Sequence, residues 1–221
     1  MQDNRPKNLQ NVLEGNYTVN TSEYISRGWE KFKENPGIFI AFSLLDGILI
    51  GINTFLWPIF LDSPLADIIS LIVGFILVPL NLGVLIGCFK AYRNQSVEFS
   101  DFFKAYNYFS QLVLGTIVSY ILIAIGFLLC ILPGIYLAIG YSFIYILIID
   151  RNFSFWQAME NSRQIVTKQW FSWFGFIFLL GLINLVGILL CGVGLFVTAP
   201  VTTFAIVAAY DDVMGIQKME Y

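Results

Sequence analysis

The chain contains no histidine. That removes the commonest general base, the commonest metal ligand and the side chain that titrates near neutral pH. Charge is scarce as well. Only 12% of the 221 residues are Asp, Glu, Lys or Arg, against about a quarter in an ordinary soluble domain. There is no basic run, and the pI is about 4.9, so no nucleic-acid partner is expected. The three cysteines, Cys88, Cys130 and Cys191, are far apart and lie in apolar sequence. An odd, dispersed set suits neither a disulfide framework nor a zinc site, and these residues read as small apolar fillers. No glycine-rich phosphate loop, G-x-S-x-G elbow or carboxylate–histidine cluster is present. The chain is therefore not expected to be an enzyme, and no cofactor or metal is implied.

What fills the sequence instead is apolar surface. Hydrophobic residues make up 57% and aromatics 17%, with a mean hydropathy of +0.74. A soluble core of this size could not bury that much, so lipid is the expected solvent. In hydrocarbon each backbone polar group needs an internal partner, which leaves helices or closed barrels. Barrel strands alternate over about ten residues. The apolar runs here are long and continuous, so helices are predicted.

Six runs cover about 37–60, 66–90, 110–131, 135–149, 170–191 and 195–210. The fourth and sixth are short for a crossing, since about twenty residues are needed. Charge placement decides the count. All twelve Lys and Arg fall before run one, between two and three (counting Lys90 at the very end of run two), between four and five, or after six. The gaps at Asp62, Pro133 and Val193 hold none. Six crossings put every positive charge on one side, which the positive-inside rule makes cytoplasmic. No apolar leader precedes the first run, and membrane lipid is the implied partner.

Three amphipathic stretches interleave with the runs. In the first, Tyr24, Ile25, Trp29 and Phe32 oppose Arg27, Glu30, Lys31 and Glu34. In the second, Phe99, Phe102, Phe103, Tyr106 and Phe109 recur at helical spacing, with Glu98, Asp101, Lys104 and Asn107 between them. In the third, Trp156, Met159 and Val166 oppose Glu160, Arg163 and Lys168, and Ser154 with Gln157 reads as a capping box.

The order amphipathic stretch, run, tight turn, run thus occurs three times. Leu128-Leu129-Cys130 recurs as Leu189-Leu190-Cys191, Asp150 as Asp211, Arg93-Asn94-Gln95-Ser96 as Arg151-Asn152-Phe153-Ser154, and Ser26-Arg27 as Ser162-Arg163. The predicted fold is an all-α integral membrane domain. Six transmembrane helices form three hairpins, each preceded by a cytoplasmic amphipathic interfacial helix, in a pseudo-threefold parallel repeat. Its bounds are 21–213, with units at about 21–90, 97–150 and 154–213. Residues 1–20 and 214–221 are expected to be cytoplasmic tails.

Leu132-Pro133-Gly134-Ile135-Tyr136, Ile149-Asp150, Ala158, Ser162, the glycine-rich 187–194 and Pro200 resemble a family of poorly characterised prokaryotic six-pass membrane proteins. That family is similar to the membrane domain of some glycerophosphodiester phosphodiesterases. Ser26–Pro36 fits its first unit. The resemblance implies this fold and the plasma membrane of a prokaryote. It carries over no catalytic residue.

The sharpest candidate site is Asp46, an acid within the first run. Such a residue costs about 2.5–3.5 kcal/mol at the bilayer centre and lines a pathway or finds a partner. Asn53, Asn81 and Asn184 lie in the first, second and fifth runs, either around a polar cargo or as interhelical glue. Asp150 and Asp211 leave the fourth and sixth runs, where acids cap the next helix or meet Arg151, Arg163 or Lys168. Trp170-Phe171-Ser172-Trp173-Phe174 matches an interfacial belt. Two readings of function follow. One is transport or binding of a small molecule, ion or lipid, with Asp46 in an internal polar site. The alternative is a structural or regulatory membrane module acting through its interfacial helices, with a protein partner or a second copy of the chain left open.

Overall fold

The computed structural model describes residues 12, 15, 17–60, 64–190 and 192–217, apart from the side chains of 56–60. Most of the expected tails, the Asp62–Ser63 turn and Cys191 lie outside the described residues. Among those residues the chain is helical throughout, with no strand. The helices are α1 (Thr21–Glu34), α2 (Pro36–Phe60), α3 (Pro64–Tyr92), a 3-10 helix (Phe99–Tyr108), α4 (Phe109–Leu129), α5 (Ile131–Gly140), α6 (Ile144–Arg151), α7 (Phe155–Lys168), α8 (Trp170–Leu189) and α9 (Leu195–Met214). Six stretches are long and apolar enough to cross a membrane: Pro36–Phe55, Pro64–Tyr92, Phe99–Leu129, Ile131–Arg151, Trp170–Leu189 and Leu195–Met214. The fourth and sixth, marginal by length alone, are the innermost. Half or more of the most apolar part of each is buried, whereas the other four face largely outward.

The fourth span departs from expectation in two ways. Its start lies at the extended residue Cys130 rather than at Leu132-Pro133-Gly134. Pro133 falls in the first turn of α5, where a missing N–H leaves no bond unmade. The span is also broken, since α5 ends at Gly140 and α6 begins at Ile144. A break at membrane depth strands backbone groups unless protein supplies partners. Ser162 of α7 supplies them. Its hydroxyl donates to the Gly140 carbonyl at 2.7 Å and accepts the Phe143 N–H at 3.0 Å, both fully buried.

The second amphipathic stretch is not an α-helix lying on the surface. It is a ten-residue 3-10 helix pressed along α3. Runs this long are uncommon because i→i+3 bonding eclipses side chains three apart. Here that eclipse sorts the residues into edges. Phe99, Phe102, Ala105 and Tyr108 share one edge, and Glu98, Asp101, Lys104 and Asn107 share another. Phe102 is fully buried and packs on Phe39 and Phe42 of α2 at ring distances of 5.6 and 4.1 Å. Phe99 and Phe103 stay 40% and 43% exposed. The close approach needs Gly83, where an added Cβ would sit 2.0 Å from the Phe102 carbonyl oxygen. Asp101, buried beneath, is clamped by Lys90 at 2.6 Å and Lys104 at 2.9 Å.

The other two amphipathic helices also pack inward. α1 lies chiefly on α9, with Tyr24, Gly28 and Phe32 buried and Trp29 turned outward. Gly28 permits that approach, since a Cβ there would meet the Ala205 backbone nitrogen at 2.7 Å. α7 packs on α5 and α6, and the Ser154–Gln157 capping box starts it as expected. Ahead of α1, Tyr17–Asn20 is tied down rather than free. The Tyr17 hydroxyl donates to the Ile165 carbonyl at 2.5 Å and accepts from the Trp173 indole at 3.0 Å. Trp173 is therefore core, not belt, while Phe171 remains exposed.

Candidate functional site: paired polar residues, a buried ionic node and a lateral groove

The intramembrane polar residues do not converge on one site. Asn81 of α3 donates to the Asp46 carboxylate of α2 at 2.5 Å, and both residues are half-buried. Farther along the same two helices, the Asn53 amide donates to the Ser70 carbonyl at 3.1 Å and the Ser70 hydroxyl returns a bond to the Asn53 carbonyl at 3.3 Å. Asn184 of α8 donates to Thr202 of α9 at 3.1 Å, and its own buried oxygen has no partner among the described residues. Each pair links two neighbouring helices. A polar group in hydrocarbon finds its partner on the adjacent helix, and this is what such amides ordinarily do.

The junction acids do meet basic residues, though not in equivalent ways. Asp150, with no solvent exposure, accepts from the Tyr210 hydroxyl at 2.6 Å and from the Gln217 N–H at 3.0 Å. Arg93 and Arg151 each approach it at 3.3 Å. Arg151 also donates to the carbonyls of Met214 and Gly215, and Arg93 to that of Gln217, so the segment after α9 folds over the node. Asp211 instead pairs with Arg27 of α1 at 2.7 Å, and the Arg27 guanidinium lies 5.7 Å above the Tyr92 ring. Arg163, a candidate partner of these acids, pairs with Glu160 in its own helix. That hydrogen bond, with a second from Gln164, holds the Glu160 carboxyl below its ordinary range. Capping of α7 falls to Ser154, not to Asp150.

Among the described residues no three His, Cys, Asp or Glu gather as a metal site would require. No family model, curated protein or solved structure matches the chain. The resemblance drawn from the sequence therefore rests on its motif residues, and several of these have packing roles. Ser162 closes the break in the fourth span, Asp150 anchors the node, and Gly187 touches Gly194 where α8 turns into α9.

Two features escaped the sequence. Arg93 and Tyr210 complete the Asp150 node from helices far apart in the chain, and only their place at run ends hinted at it. The second is a lateral groove of about 480 Å³ between α3 and α4, lined from Asp67 to Val78 on one side and by Thr116 and Tyr120 on the other. Asp67 falls in the first turn of a long apolar helix, where an acid reads as an ordinary helix-start residue.

Proposed function

We propose that this protein is a membrane module that works through contacts along its sides and interfacial helices, not a carrier with a polar path past Asp46. The observation that carries this reading is the filling of the bundle's interior. Phe204 packs on Phe39 at 4.8 Å, Phe143 on Trp173 at 4.9 Å, and all four rings are buried. The Asp150 node lies beside them, with Phe143 against Tyr210 at 6.1 Å. Asp46 and Asn81 satisfy one another, which removes the need for a bound cargo to explain an acid at that depth.

The finer architecture belongs to the same proposal. The spans pair as three parallel hairpins, and each amphipathic helix rests on the second span of the preceding unit: the 3-10 helix on α3, α7 on α5–α6, and α1 on α9 to complete the cycle. Contact between these elements supports the scheme. So does the exit from each second span through a left-handed residue, Asn94 (φ 56°), Asn152 (φ 52°) and Gly215 (φ 70°). Both ends and all Lys and Arg face the cytoplasm in this reading.

The test is access to position 46. In a chain with its three cysteines replaced by alanine, an Asp46→Cys substitution is treated with a membrane-impermeant maleimide from either side of sealed vesicles. The expected result is no labelling from either side until the protein is unfolded. Labelling of the folded protein from one side would return the carrier reading.

A further inference from the structure

The groove between α3 and α4 has the dimensions of one leaflet. From Asp67 to Val78 the helix rises about 16 Å at 1.5 Å per residue, half of a hydrocarbon core about 30 Å thick. Its volume of about 480 Å³ lies within the usual range for small-molecule sites. Gly74 leaves the floor open, since a Cβ there would meet nothing nearer than the Asn53 amide at 3.8 Å.

The mouth is acidic. Asp67 is exposed and makes no hydrogen bond or ion pair among the described residues. Asp67 stands in the first turn of α3, and among the described residues no Lys or Arg lines the groove to offset its charge. Farther along, Tyr120 is 65% exposed on an apolar span, and its hydroxyl has no partner among the described residues. A hydroxyl facing hydrocarbon gains from any acceptor that reaches it.

Together these features point to one class of occupant. We infer that the groove binds a bilayer amphiphile whose basic amine or ammonium headgroup meets Asp67 and whose chain lies along α3 past Gly74 toward Val78. An ester carbonyl below the headgroup is the natural acceptor for Tyr120. The inference rests on the reading of the protein as a module acting through its sides. The position-46 experiment tests that reading separately.

The detergent-purified full chain is titrated by native mass spectrometry with a dioleoyl trimethylammonium lipid and, separately, with dioleoyl phosphatidylglycerol. The chains are identical, so the comparison isolates the headgroup. The cationic lipid is expected to bind about fivefold tighter, the scale of a single interfacial charge pair. Asp67→Asn should bring the two affinities together while circular dichroism and unfolding temperature stay unchanged. Gly74→Leu, which fills the floor, should weaken both lipids. Equal affinities in the natural chain, or an undiminished preference in Asp67→Asn, overturn the proposal. So does a natural-chain dimer that Gly74→Leu converts to monomer, because a second copy would then be the occupant.

Discussion

The Ser162 hydroxyl lies 2.7 Å from the carbonyl oxygen of Gly140, where it completes a helix that stops at Gly140 and restarts at Ile144. The Ser162 hydroxyl oxygen also accepts the Phe143 N–H at 3.0 Å, so one small side chain satisfies both sides of the break. Ser162→Ala leaves a donor and an acceptor buried and unmet. Each costs about 1–3 kcal/mol. Chemical unfolding in detergent should show a loss of that order, and a loss under about 0.5 kcal/mol would show that the break is satisfied by other means.

The Asp150 node makes a larger prediction. Asp150→Ala leaves Arg93 and Arg151 buried without their shared anion, and breaking a buried pair costs about 3–5 kcal/mol. Asp150→Asn keeps a carbonyl for Tyr210 and the Gln217 N–H, and should cost less. Asp211→Asn, at a partly exposed pair with Arg27, should cost least of the three. Unfolding midpoints of the three variants give the order.

Close helix contacts should be readable glycine by glycine. Gly83→Ala and Gly28→Ala drive a methyl into backbone at 2.0 and 2.7 Å. Gly175→Ala and Gly181→Ala meet nothing within 4 Å. The first two should lower thermal stability sharply, and the second two should leave it unchanged or raised by up to about 1 kcal/mol. If the two pairs behaved alike, the contacts would not be as tight as described.

Asp46→Asn preserves a polar partner for Asn81 and should change stability by less than about 1 kcal/mol, while Asp46→Leu removes one interhelical hydrogen bond worth about 0.6 and at most about 1.7 kcal/mol. Phe102→Ala should cost more than either, about 3–5 kcal/mol, because it empties a site shared by α2 and α3. Phe103→Ala, on the exposed edge, should be near neutral for folding and felt only in contacts with lipid or protein.

That contrast between Phe102 and Phe103 marks where sequence reading stopped. Six spans were legible because hydropathy and the one-sided Lys and Arg agree, and both depend only on position along the chain. The depth of the 3-10 helix was not. Its polar edge at Glu98, Asp101, Lys104 and Asn107 has a period of three, a signal that was present but is easily taken for an α-helical face. The break at 141–143 leaves only a faint mark in the sequence, since Tyr141 and Ser142 are two isolated hydroxyl residues between apolar stretches and no proline stands there. The groove is a relation between two helix surfaces, and Gly74 announces it only once Thr116 and Tyr120 are beside it.

The seating of α1 on α9 has a consequence in time. A chain made from its amino end produces α1 first and α9 last, so Tyr24, Gly28 and Phe32 are without their final partners until the last span is in place. The Arg27–Asp211 and Tyr24–Asp212 contacts then join the two ends of the domain in one step. Assembly thus carries its own completion check: a nascent chain stalled before α9 leaves an aromatic face in view of whatever surveys the membrane surface.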